Sequence, residues 1–247
     1  MKRFLIALQF LTVIPVKIKS KIEEKDLGAS LMYFPAVGSL IGLLLAVMSL
    51  MVNFLPWPVA IALVLIASIA ITGAIHIDGF ADTCDGFFSS KHREKILEIM
   101  RDSRIGTMGT VGIVCLLLLK FNMLISIPKE ILWKSLILMV TFARWTQALS
   151  CYISDYARED GKARYFIEYS RGRDFFIGTL FTLCLFLLLI HIKGAILFFV
   201  SIFPALLFIN FAKRRIGGMT GDTIGAASEI AELTLLFFML IYPKICI

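Results

Sequence analysis

Apolar residues in this chain run in long blocks, not in the one-face or alternating patterns of a water-soluble fold. Seven blocks, at about 31–55, 58–75, 109–127, 131–151, 175–191, 194–211 and 223–243, are long enough to predict membrane-spanning helices. The first sixteen residues, MKRFLIALQFLTVIPV, have the basic start and apolar centre of a signal peptide. No small-residue cleavage site follows, and Pro15 and Lys17 end the run. About twelve apolar residues are too few to cross a bilayer, so this segment is predicted to stay as an interfacial or partly re-entrant helix. The fold class expected is an all-α polytopic membrane protein, with about seven spans plus that helix.

The polar segments between the blocks alternate in character. Pro56-Trp57-Pro58, Pro128 to Glu130 and Ile192-Lys193 are short, whereas 76–108, 152–174 and 212–222 are long and charged. Lys and Arg number six in residues 1–30 and five, five and three in the long loops, against only Lys129, Lys193 and Lys244 on the opposite side. Lys120, Lys134 and Arg144 fall within spans. The positive-inside rule therefore predicts that residues 1–30 and all three long loops face the cytoplasm, with the C-terminus outside. Composition agrees with a membrane protein: 59% hydrophobic residues, only 17% charged and a mean hydropathy of +0.87. The net charge of +7 does not point to nucleic acid, because the positive residues follow membrane orientation. Cys84, Cys115, Cys151, Cys184 and Cys246 form no C-x-x-C and read as small packing residues in a reduced setting, Cys84 alone lying between two Asp. No internal repeat or low-complexity linker appears, so residues 1–247 are expected to form one integral membrane domain.

The chemistry concentrates in His76 to Gly109, HIDGFADTCDGFFSSKHREKILEIMRDSRIGTMG. In a helix, Asp78, Asp82 and Asp85 would fall within an arc of about 60° on one face, at about 100° per residue. Unpaired like charges at that spacing repel, which favours a shared cation. Three hard oxygen ligands suit Mg²⁺ or Mn²⁺ with positions left for phosphate. Gly79 and Gly86 each follow an Asp and permit close backbone approach, and Arg101 and Arg104 follow in the same loop. A solvated acidic loop that caps a helix is the plainer alternative.

A second constellation is AKRRIGGMTGDTIGAASEIAE, residues 212–232. Basic residues lead into Gly218, Thr220, Gly221 and Asp222 at the predicted start of the last helix, a place where free N–H groups can take an anion. Glu229 and Glu232 lie one turn apart deeper in that helix. Intramembrane carboxylates face a polar cavity or a partner, and Arg144 is a candidate partner. The third loop, with Tyr156, Tyr165, Phe166 and Tyr169, could grip a large polar substrate, although a solvated linker with interfacial aromatics also fits. His76 is a secondary candidate beside the Asp group; His92 and His191 look incidental. Ser89, Ser90 and Ser103 lack the partners of a serine nucleophile. Together the residues fit attack on phosphorus, with a metal neutralising phosphate, Arg residues holding it and a carboxylate activating a hydroxyl. A transporter is the rival class: Glu229, Glu232 and Arg144 favour it, while the lack of repeat symmetry opposes it.

Five stretches resemble the cobalamin synthase family, the adenosylcobinamide-GDP ribazoletransferases: FLTVIPV at 10–16, YFPAVGSLIG at 33–42, HIDGFADTCDGFFSS at 76–90, REKILEIMRDSRIGTMG at 93–109 and GGMTGDTIGAASEIAE at 217–232. The likeness covers nearly the whole chain. The short stretch from Asp78 to Asp82 also resembles the motif start of the CDP-alcohol phosphotransferases of phospholipid synthesis, but it has no Arg there and lacks the downstream G-x-x-x-D-x-x-x-D. The cobalamin resemblance implies a Mg²⁺-dependent transfer. A hydroxyl of α-ribazole or α-ribazole 5′-phosphate attacks adenosylcobinamide-GDP, releases GMP and forms adenosylcobalamin or its 5′-phosphate. It implies Asp78, Asp82 and Asp85 as metal ligands, Asp82 and Asp222 as catalytic, and Arg101, Arg104, Gly218, Thr220 and Gly221 as phosphate-binding. Glu98, Glu229, Glu232 and His76 are secondary candidates. The expected setting is the cell membrane with a cytoplasmic active site, as a homo-oligomer or beside other cobalamin-assembly enzymes. The corrinoid itself rests on the resemblance alone.

Overall fold

A computed structural model describes residues 1–89 and 92–245, with side chains to Tyr242; Ser90, Lys91 and Cys246 and the side chain of Lys244 lie outside it. Among the described residues the regular structure is helical, joined by loops and turns, apart from an isolated parallel bridge between Tyr156 and Met219. In chain order the helices are α1 (Lys2–Leu11), α2 (Glu24–Ser30), α3 (Phe34–Met51), α4 (Trp57–Thr72), α5 (Ile75–Ser89) and α6 (Arg93–Ile99). They continue with α7 (Thr107–Ser126), α8 (Lys129–Tyr152), α9 (Lys162–Glu168), α10 (Gly172–Ile216) and α11 (Gly221–Ile245).

The all-α, multi-span architecture is as expected; the count of seven is not confirmed. Among the described residues, four helices are long and apolar enough to cross a bilayer, the one through α3, α7, α10 and α11, and five if α4 and α5 together make one bent span. The seven predicted blocks fall on α3, α4, α7, α8, the two limbs of α10, and α11. α8 is less apolar, with Arg144, Gln147 and several Ser and Thr residues among its apolar ones, yet it is the centre of the fold. Every residue from Ser135 to Cys151 is buried, so neighbouring helices, not lipid, surround this part of it. Phe142 and Trp145 of α8 stack into an aromatic cluster with Phe186 and Phe198 of α10. α10 reverses direction at Ile190 and His191, where the φ of His191 is +55°. Phe186 and Phe198, twelve residues apart, then have ring centroids only 5.6 Å apart.

α3 packs along α8 through Gly38 and Gly42. A Cβ at Gly38 would lie 2.7 Å from the Val140 carbonyl, and one at Gly42 would lie 2.6 Å from the Cα of Ile137. Small residues four apart let two helices approach closely inside a membrane. α1 has ten residues, too few to cross; Lys2 pairs with Asp26 of α2 at 2.5 Å, and Phe10 stacks with Phe34 at 6.0 Å.

The long polar segments gather at one end of the bundle, the basic face. Arg93 Nε donates to the Ile216 carbonyl at 2.8 Å, Ala157 N to Met219 O and Met219 N to Asp155 O both at 2.9 Å, and Tyr169 to Glu24 at 2.7 Å. α5 belongs to this face. Gly73 and Ala74, with φ of +61° and +60°, turn the chain by 88° out of α4, so α5 runs across the end of the bundle. The left-handed conformation costs a residue such as Ala74 about 1–2 kcal/mol.

Candidate active site

The crossing of α5 over the first turns of α11 builds the site. Gly79 allows it: a Cβ there would lie 2.8 Å from the Cα of Asp222. Gly225 does the same against His76, where a Cβ would meet backbone at 3.3 Å. α11 begins at Gly221, with Thr220 capping it; the Thr220 hydroxyl accepts from Thr223 N at 3.2 Å and Thr223 Oγ1 accepts from Thr220 N at 2.8 Å.

Asp78 and Asp222 line a cavity of about 270 Å³ whose wall also includes His76, Arg158, Lys162 and Gly221. The apolar side of that cavity comes from Phe10, Phe34 and Phe166. Asp82 sits beside the two carboxylates, half-buried. Burial, and then the charges of Asp222 and Asp78, push its pKa up to about 7, against the opposite pull of Arg158. Arg158 reaches Asp222 at 2.8 Å. His76 is buried, with Nδ1 3.1 Å from Gln147 Nε2, so it braces the cavity wall from α8.

Other predicted site residues have different employment. Asp85 is buried and turned toward α7, accepting from the backbone N of Gly106 and of Gly109, both at 2.7 Å. A carboxylate there satisfies free N–H groups at a helix start and meets the positive end of its dipole. Gly218 packs against the Asp155 carbonyl, where a Cβ would be 2.5 Å away. Arg104 is exposed and pairs with Asp102 at 2.9 Å. Glu98 is exposed and pairs with Lys95 at 2.8 Å, outside the Asp group. Arg101 lines a separate open cleft with Arg93 and Arg158. Among the described residues, no three His, Cys, Asp or Glu side chains already stand in a metal-holding arrangement.

Glu229 and Glu232 lie in a second, inner group, sealed from water. Lys120 of α7 pairs with both, at 2.5 Å to Glu232 Oε2, and Arg144 of α8 lies 3.7 Å from Glu232 Oε1. Arg144 also donates to Ser228. The expected partner, Arg144, is therefore present, while the main one is Lys120. Two residues escaped the sequence reading. Lys120 carried a signal, an unexplained cation within an apolar span; Arg158 was one charge among many in a mixed loop.

An integral membrane protein with an acidic, arginine-served pocket where its basic loops meet is equipped to hold and attack a phosphate ester. The chain belongs to the cobalamin-5-phosphate synthase family, whose profile matches residues 3–240. The adenosylcobinamide-GDP ribazoletransferase of Geotalea daltonii is 38% identical over 238 residues, covering 96% of each chain. That of Clostridium acetobutylicum is 36% identical over 233 residues, 94% of this chain and 92% of the relative. That of Acetivibrio thermocellus is 36% identical over 244 residues, 98% and 97% of the two. No solved structure matches the chain. The family expected from the five stretches is thus the family found. The chain is an enzyme of this transferase family, which decides against the CDP-alcohol phosphotransferases and the transporter reading.

Proposed function

We propose that this chain joins adenosylcobinamide-GDP to α-ribazole 5′-phosphate or α-ribazole. The hydroxyl oxygen attacks the cobinamide-linked phosphorus, the bond from that phosphorus to the GMP oxygen breaks, and GMP leaves with the bonding pair. The proton of the hydroxyl passes to a carboxylate, for which Asp222 at the cavity wall is the candidate. Gly221, at the first turn of α11, offers a backbone N–H to a phosphate oxygen, and the Arg101 cleft adjoins the pocket through Arg158. Phe10, Phe34 and Phe166 suit the flat apolar base of a ribazole.

A Mg²⁺ ion fits the chemistry of these residues. Asp78, Asp82 and Asp222 are hard oxygen donors; burial first, and then the charges of its two neighbours, push Asp82 up to about 7, and a cation relieves the part due to repulsion. Asp78 and Asp82 would hold it, and when bound it supplies charge neutralisation to the phosphate oxygens. Asp85, with two backbone N–H partners, is left out of this set. The charge bias of the loops supports a cytoplasmic site in the cell membrane.

The observation that carries this reading is the meeting of Asp78 and Asp222 at one cavity with Asp82 beside them, three carboxylates against the two cations of its wall, Arg158 and Lys162. The test is GMP release by purified protein in liposomes given adenosylcobinamide-GDP, α-ribazole 5′-phosphate and Mg²⁺. Release that stops with EDTA and is matched by cobalamin 5′-phosphate is expected. A folded protein that releases no GMP contradicts the reading.

A further inference from the structure

Arg158 is engaged by less than it can bind. Its guanidinium offers five N–H donors. Nη2 lies 2.8 Å from Asp222 Oδ2, with the side chain only 11% exposed, while Nε is buried and has no hydrogen-bond acceptor. Buried donors of a purely structural arginine are ordinarily satisfied. Its position is also unusual, for it lines three spaces at once. These are the 270 Å³ cavity with Asp222, a 450 Å³ cleft with Arg93 and Arg101, and a 650 Å³ cleft with Arg164. The loop that carries it is clipped in place: the bridge from Tyr156 to Met219 fixes one side, and Arg93 Nη2 donates to the Ala157 carbonyl at 3.2 Å. The backbone is thus held while the side chain stands at a junction between cavities. Arg144 in the inner group also has a buried Nε without an acceptor, but it has no cavity of comparable size beside it, so the position at the junction of three spaces is what sets Arg158 apart.

We propose that Arg158 is a diphosphate-binding residue held on Asp222 until the ligand arrives, and that it then turns to the phosphate oxygens and frees the Asp222 carboxylate. Arginine is suited to this, since its planar fork can take two oxygens of one phosphate and exchange a carboxylate for them without leaving a charge bare. A diphosphate entering between the first two spaces would meet Lys162 on one side and Arg101 on the other, with Arg158 between them. The freed carboxylate matters only if the pocket performs the transfer proposed above; the binding of diphosphate does not depend on that.

The test is isothermal titration of pyrophosphate, without divalent metal, into the full-length chain in detergent micelles. Arg158→Ala should weaken binding at least tenfold and Arg158→Lys by less, because Lys keeps the charge and loses the fork. Asp222→Asn should tighten binding several-fold, since it removes the competing partner. That gain should vanish when Arg158→Ala is added. A gain of equal size in the double variant would mean that Asp222→Asn only lowers repulsion, and would overturn the proposal. So would unchanged affinity in Arg158→Lys and Asp222→Asn, a pair that remains informative if Arg158→Ala does not fold. In turnover, Arg158→Lys should raise KM for the diphosphate substrate more than it lowers kcat. Binding that needs Arg158 in a protein without transferase activity would sink the transfer reading alone; transfer with binding indifferent to Arg158 would sink this one alone.

Discussion

Two acidic groups share α11, one at Asp222 and one starting at Glu229 seven residues or about 10 Å further on, and they are built on opposite principles. The inner one sets Glu229 and Glu232 against Lys120 and Arg144, two anions with two cations, in a place closed to water. The outer one sets Asp78 and Asp222 on a cavity with Arg158 and Lys162 at its wall, and Asp82 beside them. In a low-dielectric interior an unbalanced charge is too costly to keep, so the inner group must be neutral to exist at all. Beside a cavity the imbalance can persist, and what remains unbalanced is available to a cation or a ligand. Charge balance, more than the mere presence of carboxylates, separates the structural group from the functional one.

That contrast can be broken most forcefully at Asp82. Asp82→Asn should lower transfer by about 10²- to 10⁴-fold, the range for loss of a group acting directly in catalysis, while the metal-free protein at neutral pH melts no earlier than wild type, because repulsion has been removed. The inner group should respond in the reverse order. Lys120→Met leaves two buried carboxylates facing each other and should cost about 3–5 kcal/mol of stability, read as a lowered melting temperature and a poor yield of folded protein. Glu229→Gln should be milder, since Lys120 retains Glu232 at 2.5 Å.

Asp85 sharpens the comparison, standing in the same sequence cluster as Asp82 but working as a cap. Asp85→Asn should cost about 1 kcal/mol, typical of a weakened helix cap, and lower turnover far less than Asp82→Asn. Equal losses in the two variants would return Asp85 to the ligand set. The smallest effect concerns pH. The folded Asp82 holds its proton up to about 7, whereas an unfolded Asp ionises near 3.8. Between those values the unfolded chain has fewer protons bound, so EDTA-treated protein should lose stability as pH rises from about 4 to 7. Asp82→Asn should flatten that slope, as measured by melting temperature against pH.

The helical, membrane-spanning character was legible because bilayer thickness demands long apolar runs, and the position of the acidic helix was legible because three Asp at helical spacing stand out between two such runs. Employment of each carboxylate was not. Asp78, Asp82 and Asp85 share one face in sequence terms, yet the turn at Gly73 and Ala74 and the start of α7 at Gly106 deliver Asp85 to backbone N–H groups. Arg158 and Asp222 are far apart in sequence and meet only because the bridge between Tyr156 and Met219 brings their loops together. Gly38 and Gly42 were a missed signal: small residues four apart in an apolar run announce a close helix neighbour, here α8. α8 stood out only as one apolar block among seven, at 131–151; its central place was not legible, and a helix surrounded by protein from Ser135 to Cys151 can carry Arg144 and Gln147 where a lipid-facing one could not.

The most direct test is single-turnover GMP release by Asp82→Asn protein in liposomes, with melting temperature recorded on the same preparation. The account predicts a rate at least about a hundredfold below wild type in a protein that melts no earlier. A wild-type rate from the folded variant would contradict it, and would move the chemistry away from the acidic pocket.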